Sequence, residues 1–220
     1  MKKDKLYTAK RYLIVFILAF LLIFLGASLE KAWHITPETH FNLALPLLKG
    51  KQPYKAIPHL VIASKSQDPV VQMLSAYQLA RLYSKGADGI SKNMEKAIFY
   101  YEKAASMKMP EAQYELALLY DVGDKIPENR SNAIKWMLEA AYILPEAKYA
   151  LAVWIERGYL GAPNQAWAVS LYEQAAETGI QNAMKSLISI YYGGYGLFPQ
   201  NIKKEQYWRR RLEESTQNDL

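Results

Sequence analysis

The chain has 220 residues, a formal net charge of +6 and no cysteine, with 51% hydrophobic and 22% charged residues. That balance excludes a disordered or low-complexity chain, and the missing cysteine excludes disulfides, thiolate zinc sites and a lipid anchor at cysteine. The charge does not point to nucleic acid. Most of the excess comes from Lys2, Lys3, Lys5, Lys10 and Arg11, set against Asp4 alone and lying beside a hydrophobic segment.

That segment, Tyr12 to Ser28, is uncharged and rich in Leu, Ile, Phe and Val. Seventeen helical residues rise roughly 26 Å, close to the ~30 Å of a bilayer core. Tyr12 and Trp33 flank it, and the basic residues lie only on its N-terminal side. The positive-inside rule then expects a cytoplasmic basic tail over 1–11 and an uncleaved signal-anchor helix over 12–29. The repeats would be exported, giving a single-pass protein of the bacterial inner membrane that faces the periplasm. The alternative is a signal peptide cleaved at Gly26-Ala27-Ser28; its apolar core would exceed the usual ~7–15 residues.

Residues 30–69 read as a connector and a degenerate leading helix pair. Thr36-Pro37-Glu38 is a helix start, with a hydroxyl cap and proline at the first position. Phe41, Ala44, Leu45 and Leu48 form one apolar stripe. Pro46 predicts a kink or an early end, and Gly50 a stop at the latest. Pro53 reopens a helix carrying Ala56, Leu60 and Ala63, with a bend or late start at Pro58.

Residues 70–215 carry one unit four times, before a short tail over 216–220. Leu79-Ala80-Arg81-Leu82-Tyr83 returns around Leu116, Leu151 and Leu187, at spacings of 37, 35 and 36. A fixed period of this length marks a stacked array. Asp68-Pro69 starts a helix running to Lys85, one turn longer than its later counterparts, and Gly86 ends it. Asn93 caps its partner, through about Met107. Helices follow from Pro110 or Glu111 to Gly123, from Asn129 to Tyr142, from Pro145 to Gly158 and from Asn164 to Gly179. The last two run from Gln181 to Gly193-Gly194 and from about Asn201 to Ser215. The asparagines accept bonds from unpaired first-turn amides, and the glycines take the left-handed conformation that stops a helix. Alanines such as Ala80, Ala104 and Ala105 permit close approach of helix axes. Tyr83, Tyr101, Trp136 and Tyr172 fill the remaining space.

Ala112-Gln113-Tyr114, Leu116-Ala117, Tyr120 and Gly123, continuing to Asn129, Ala133, Trp136 and Ala140-Ala141, resemble the Sel-1-like repeat. This is a relative of the tetratricopeptide repeat with a longer interhelix loop. The first repeat matches as well, at Lys96-Ala97 and at Tyr100-Tyr101-Glu102-Lys103-Ala104-Ala105. The third carries Ile155 where tyrosine is usual. In the fourth, Lys203-Lys204 and Arg209-Arg210-Arg211 replace the small residues, which puts the packing of that helix in doubt and suggests a terminal cap. The resemblance implies an all-α solenoid of antiparallel helix pairs, here with one N-terminal transmembrane helix. It also implies an adaptor surface rather than an enzyme.

Nothing catalytic stands out. His34, His40 and His59 are the only histidines, and a zinc site needs three or four convergent ligands. Gly193-Gly194-Tyr195-Gly196 lacks the lysine and the strand of a phosphate loop. Asn129-Arg130-Ser131 fits a glycosylation acceptor, but Asn129 is also due to cap a helix. No cofactor is expected. The candidate docking residues are Lys203, Lys204, Tyr207, Trp208, Arg209, Arg210 and Arg211, a dense basic stretch interleaved with aromatics. The expected partners are proteins of an envelope complex, with a glycan as the second option and no nucleic acid. Which tyrosines line a groove and which lie in the core is not set by spacing.

Overall fold

The computed structural model describes residues 35–50, 52–122 and 129–217. The expected membrane segment, residues 12–29, lies outside them, as do His34 and Gly123. Among the described residues no helix is long and apolar enough to cross a membrane.

Among the described residues ten α-helices follow one another, α1 (Pro37–Lys49), α2 (Ala56–Ala63), α3 (Pro69–Lys85), α4 (Met94–Ser106), α5 (Pro110–Val122), α6 (Arg130–Ala141), α7 (Pro145–Glu156), α8 (Gln165–Glu177), α9 (Gln181–Gly193) and α10 (Ile202–Gln217). They form five antiparallel pairs. The closely packed helices are neighbours in the chain, apart from a further contact of α1 with α3. The array is therefore single file: α3, α5, α7 and α9 are the first helices of successive pairs, and α4, α6, α8 and α10 the second. Among the described residues there is no strand, only isolated bridges at Ala87–Ile90 and Tyr195–Phe198 within two interhelix loops.

The starts and stops follow local chemistry. Thr36 Oγ1 accepts from the Thr39 amide, and the Asp68 carboxylate from the Val70 and Val71 amides. Asn93, Asn129, Asn164 and Asn201 each accept from the amide three residues on, at 2.9–3.0 Å. Each such cap is worth about 1 kcal/mol. Three of these asparagines also close their loop, since their own amides donate to the carbonyls of Tyr83, Tyr120 and Tyr191. Gly86 and Gly194 end α3 and α9 with φ of +68° and +74°, where a side chain would be strained. Helix α1 runs through Pro46 to Lys49 without ending early. Proline there removes one backbone bond close to the C-terminal end, where little helix remains to be lost. The late start at Pro58 is present. A 3-10 turn, Pro53–Lys55, leads into α2 and places Pro58 in its first turn, where an amide has no intrahelical partner.

The core repeats with the chain. Leu79, Leu116, Leu151 and Leu187 are buried, as are Ala80, Ala117, Ala152, Ala104, Ala140 and Ala175. Second helices contribute one large buried side chain at a single repeat position, successively Tyr101, Met137, Tyr172 and Trp208. The last corrects the doubt over α10. Lys204 and Arg211 stand where earlier repeats have alanine, yet Trp208 keeps the core position and is only 3% exposed. Helix α10 packs fully on α9.

Three of the described loops also lean back on the pair before them. Arg130, the first residue of α6, donates to the carbonyls of Gly158 and Tyr159, and its guanidinium lies 4.4 Å from the Tyr159 ring. Gln165, the first residue of α8, accepts from the Leu197 amide at 3.0 Å. Gly89 lies against Tyr54, where an added Cβ would stand 2.8 Å from that ring.

Candidate functional site

The basic stretch on α10 is largely engaged within the fold. Lys204 Nζ reaches Glu173 and the Tyr191 hydroxyl, each at 3.0 Å. These two hydrogen bonds hold its ammonium above the ordinary lysine range. Arg211 pairs with Glu177 at 3.4 Å and accompanies Tyr207, whose hydroxyl also donates to Glu177. Arg209 donates to Glu205 at 2.8 Å. Lys203 and Arg210 make no ion pair among the described residues. Of the seven candidates, Trp208 is buried. Tyr207 is exposed, and Lys203 and Arg210 are exposed and unpaired. The stretch binds α10 to the glutamates of α8 before it can offer anything to a partner.

The tyrosines separate into two sets. Tyr101, Tyr172 and Tyr191 belong to the core. Burial pushes the Tyr101 hydroxyl up to about 12. It raises Tyr172 further, helped by the bond that Tyr172 donates to Glu156. One motif recurs between pairs: Tyr120 donates to Glu102 at 2.6 Å, and Tyr191 to Glu173 at 2.8 Å. At the same repeat positions between them stand Ile155 and Leu138. The departure at Ile155 is thus half of a joint change, in which a hydroxyl–carboxylate pair gives way to two apolar residues.

Tyr77, Tyr114 and Tyr149 form the second set. They occupy one position on α3, α5 and α7, spaced 37 and 35 residues apart, and all three are half-buried. Each end of the row is backed by a core ring: Tyr77 meets Tyr101 at 6.1 Å and Tyr149 meets Tyr172 at 5.7 Å. Glu111 and Glu115 lie in the field of Tyr77, and Glu115 and Glu146 in that of Tyr114. Burial raises both hydroxyls; at Tyr77 the Arg81 charge opposes it and Glu115 and Glu111 add to it, while at Tyr114 Glu115 and Glu146 add to it. The row thus runs across successive first helices as one surface. Sequence reasoning left it unassigned. The signal was the shared register with the leucine repeat two residues later.

Toward the leading pair, a cavity of about 340 Å³ between α1 and α3 is lined by Leu45, Leu48, Lys49, Arg81, Leu82 and Lys85 among others. Beyond the third tyrosine, Glu156, Ser186, Ser189 and Tyr195 line a shallower polar recess. His40 and His59 bring their Nδ1 atoms within 2.8 Å, so one ring donates to the other and ties α1 to α2. Among the described residues no group of three or more side chains is placed to hold a metal ion. Asn129 is committed to its cap, since its side-chain oxygen accepts from the Asn132 amide.

Comparison with known proteins agrees with this architecture. Residues 74–109, 110–142 and 145–179 match the Sel1 repeat family model; the pair α9–α10 lies outside the match. The crystal structure of a Sel1 repeat protein from Oxalobacter formigenes superposes with a TM-score of 0.68 at 26% identity, over 81% of this chain and 73% of that one. A protective antigen of uropathogenic Escherichia coli with an SLR fold gives 0.73 at 20% identity, over 83% of this chain and 39% of that one. That second likeness speaks for the fold alone. Chitin synthase regulatory factor 2 of Schizosaccharomyces pombe is 30% identical over 63% of this chain and 29% of its own length. Chitin synthase regulator SKT5 of Saccharomyces cerevisiae is 31% identical over 54% of this chain and 18% of its own. The chain spans less than a third of these curated relatives.

Proposed function

We propose that this array of Sel1 repeats is a non-catalytic scaffold, tethered through residues 12–29 to the bacterial inner membrane, with its repeats in the periplasm. There it would hold a protein of an envelope complex concerned with secretion, signalling or cell-surface assembly. The observation that carries the reading is the row of Tyr77, Tyr114 and Tyr149. These rings are rigidly backed and half open to solvent, and they extend across three repeats instead of converging on one point. Stacked repeats serve extended binding surfaces of this kind, whereas catalysis needs convergent titratable groups in a cleft.

A photo-cross-linking residue at position 149, read in intact cells, should give discrete protein adducts. The same residue at Ser170, exposed on α8, should not. Adducts at neither position would reject the scaffold. The tether has its own test. The protein should stay with membranes through a carbonate wash, and soluble protein beginning near Leu29 would end that part of the reading. The remaining exposed residues of α10, Lys203, Tyr207 and Arg210, are a secondary contact. Unchanged partner recovery in K203E/Y207A/R210E would remove it.

The same three rings favour a second reading, a periplasmic accessory protein that binds cell-wall or other polysaccharide, because sugar rings stack on aromatic faces. Retention on insoluble peptidoglycan that is lost in Y77A/Y114A/Y149A would select it over the first.

A further inference from the structure

We propose that the tyrosine-bearing face of α5 and α7 receives a lysine- or arginine-rich segment of a partner protein. This rests on the scaffold reading and adds the chemistry of what is held. The first observation is how the acids of the two helix layers are engaged. On the second helices, Glu139, Glu173, Glu177 and Glu205 each have a cationic partner within 3.4 Å, and Glu102 accepts from the Tyr120 hydroxyl. On the first helices, Glu111, Glu115 and Glu146 form no ion pair among the described residues, and neither does Lys148 of α7. Glu111 and Glu146 are exposed and Glu115 is half-buried. Three carboxylates without an ion pair among the described residues are thus interleaved with the half-open rings of Tyr114 and Tyr149.

The second observation is that the molecule already seats a guanidinium on this row. Arg81, from the following turn of α3, lies 5.7 Å from the Tyr77 ring. Tyr114 and Tyr149 are half-buried with no cation of the described residues over either ring, and their acidic neighbours strengthen the attraction for one. A cation over a tyrosine face contributes most where carboxylates help to desolvate and hold it. The extent of the surface is also defined. Lys49, Arg81 and Lys85 border it at the leading end, and Lys185 takes the tyrosine position in the fourth repeat. The acidic field therefore spans the two middle repeats and is closed by positive charge on either side, which fixes the register of a basic segment laid along it.

The test uses the full chain in detergent micelles and two synthetic, fluorescein-labelled twelve-residue probes: an Arg/Lys-rich peptide and its analogue with glutamate at every basic position. With a chain of net charge +6, bulk attraction favours the acidic probe, so preference for the basic one reports a local site. The basic probe should bind with a strong salt dependence. E111K/E115K/E146K should weaken it roughly tenfold or more. The isosteric E111Q/E115Q/E146Q should show an intermediate loss, and it guards against misfolding of the lysine variant. E213K/E214K, at exposed acids of α10, should change nothing. Equal or better binding of the acidic probe, or a glutamine variant that binds as the parent does, overturns the proposal. The scaffold reading would survive that result, because it fails on a different observation, the absence of cross-linked adducts at position 149.

Discussion

Replacing Trp208 by alanine should release α10 before any other helix is disturbed. The size of the effect follows from what else holds that helix. A tryptophan side chain buries roughly 200 Å², and at about 25 cal/mol/Å² its removal from the core costs about 5 kcal/mol. This agrees with the 3–5 kcal/mol range for truncating a buried aromatic residue. The ionic ties of α10 are weaker. Lys204–Glu173 and Arg211–Glu177 join side chains that are all about a third or more exposed, and exposed pairs contribute only about 0.2–1 kcal/mol each. W208A should therefore cost several times more than R211E. In an array whose units touch only their neighbours, the loss should fall on the last pair. Hydrogen exchange read by mass spectrometry checks this directly: α10 amides should lose protection in W208A, while those of α3 and α4 keep theirs. The reasoning is refuted if W208A leaves α10 protected, or if R211E opens it more than W208A does.

Removing the asparagine cap in N129A should lower stability by about 1 kcal/mol in urea unfolding. S131A, which destroys the same glycosylation acceptor, should leave stability unchanged, so the pair of variants separates cap from modification site. R130A should free the loop around Gly158–Tyr159 and speed its cleavage by a protease of low specificity, without altering the far end of the array. Stability should also fall as pH rises above about 10. Tyr101 is held near 12, so the folded state keeps a proton that the unfolded chain has begun to lose. Lys204, raised by Tyr191 and Glu173, acts in the same direction, because its contribution is complete below the ordinary lysine value and is lost on passing through the raised one. Thermal melts at pH 8 and pH 11 measure the difference, and Y101F should reduce it.

The helical punctuation was legible because each signal is local. Asn93, Asn129 and Asn164 need only their own amides three residues on, and Gly86 only its own φ. The solenoid was legible because period reports stacking directly. Two things were not. The fate of the α10 cations depended on Glu173 and Glu177, some thirty residues earlier, and no local pattern announces a pairing across that distance. Trp208 looked like part of a surface patch because its charged neighbours dominate the stretch. Counting back one period to Tyr172, and another to Met137, would have shown it in the core. The division of tyrosines into core and surface needed burial, which composition and spacing leave open. The row at positions 77, 114 and 149 could have been found by aligning the repeats column by column. What spacing could not supply was that its carboxylates lack internal partners.

Arg130 grasps a carbonyl 29 residues ahead, and Gln165 an amide 32 residues ahead. Each grip joins the opening of one helix to a bend belonging to the following unit. Deleting a fraction of a unit leaves the reaching side chain with nothing to hold, whereas excising or duplicating a full unit restores an equivalent neighbour. Gain and loss of length in such a chain should therefore proceed by whole modules, and a designer wishing to extend or shorten it should cut at the same point in successive units, just ahead of the capping asparagines.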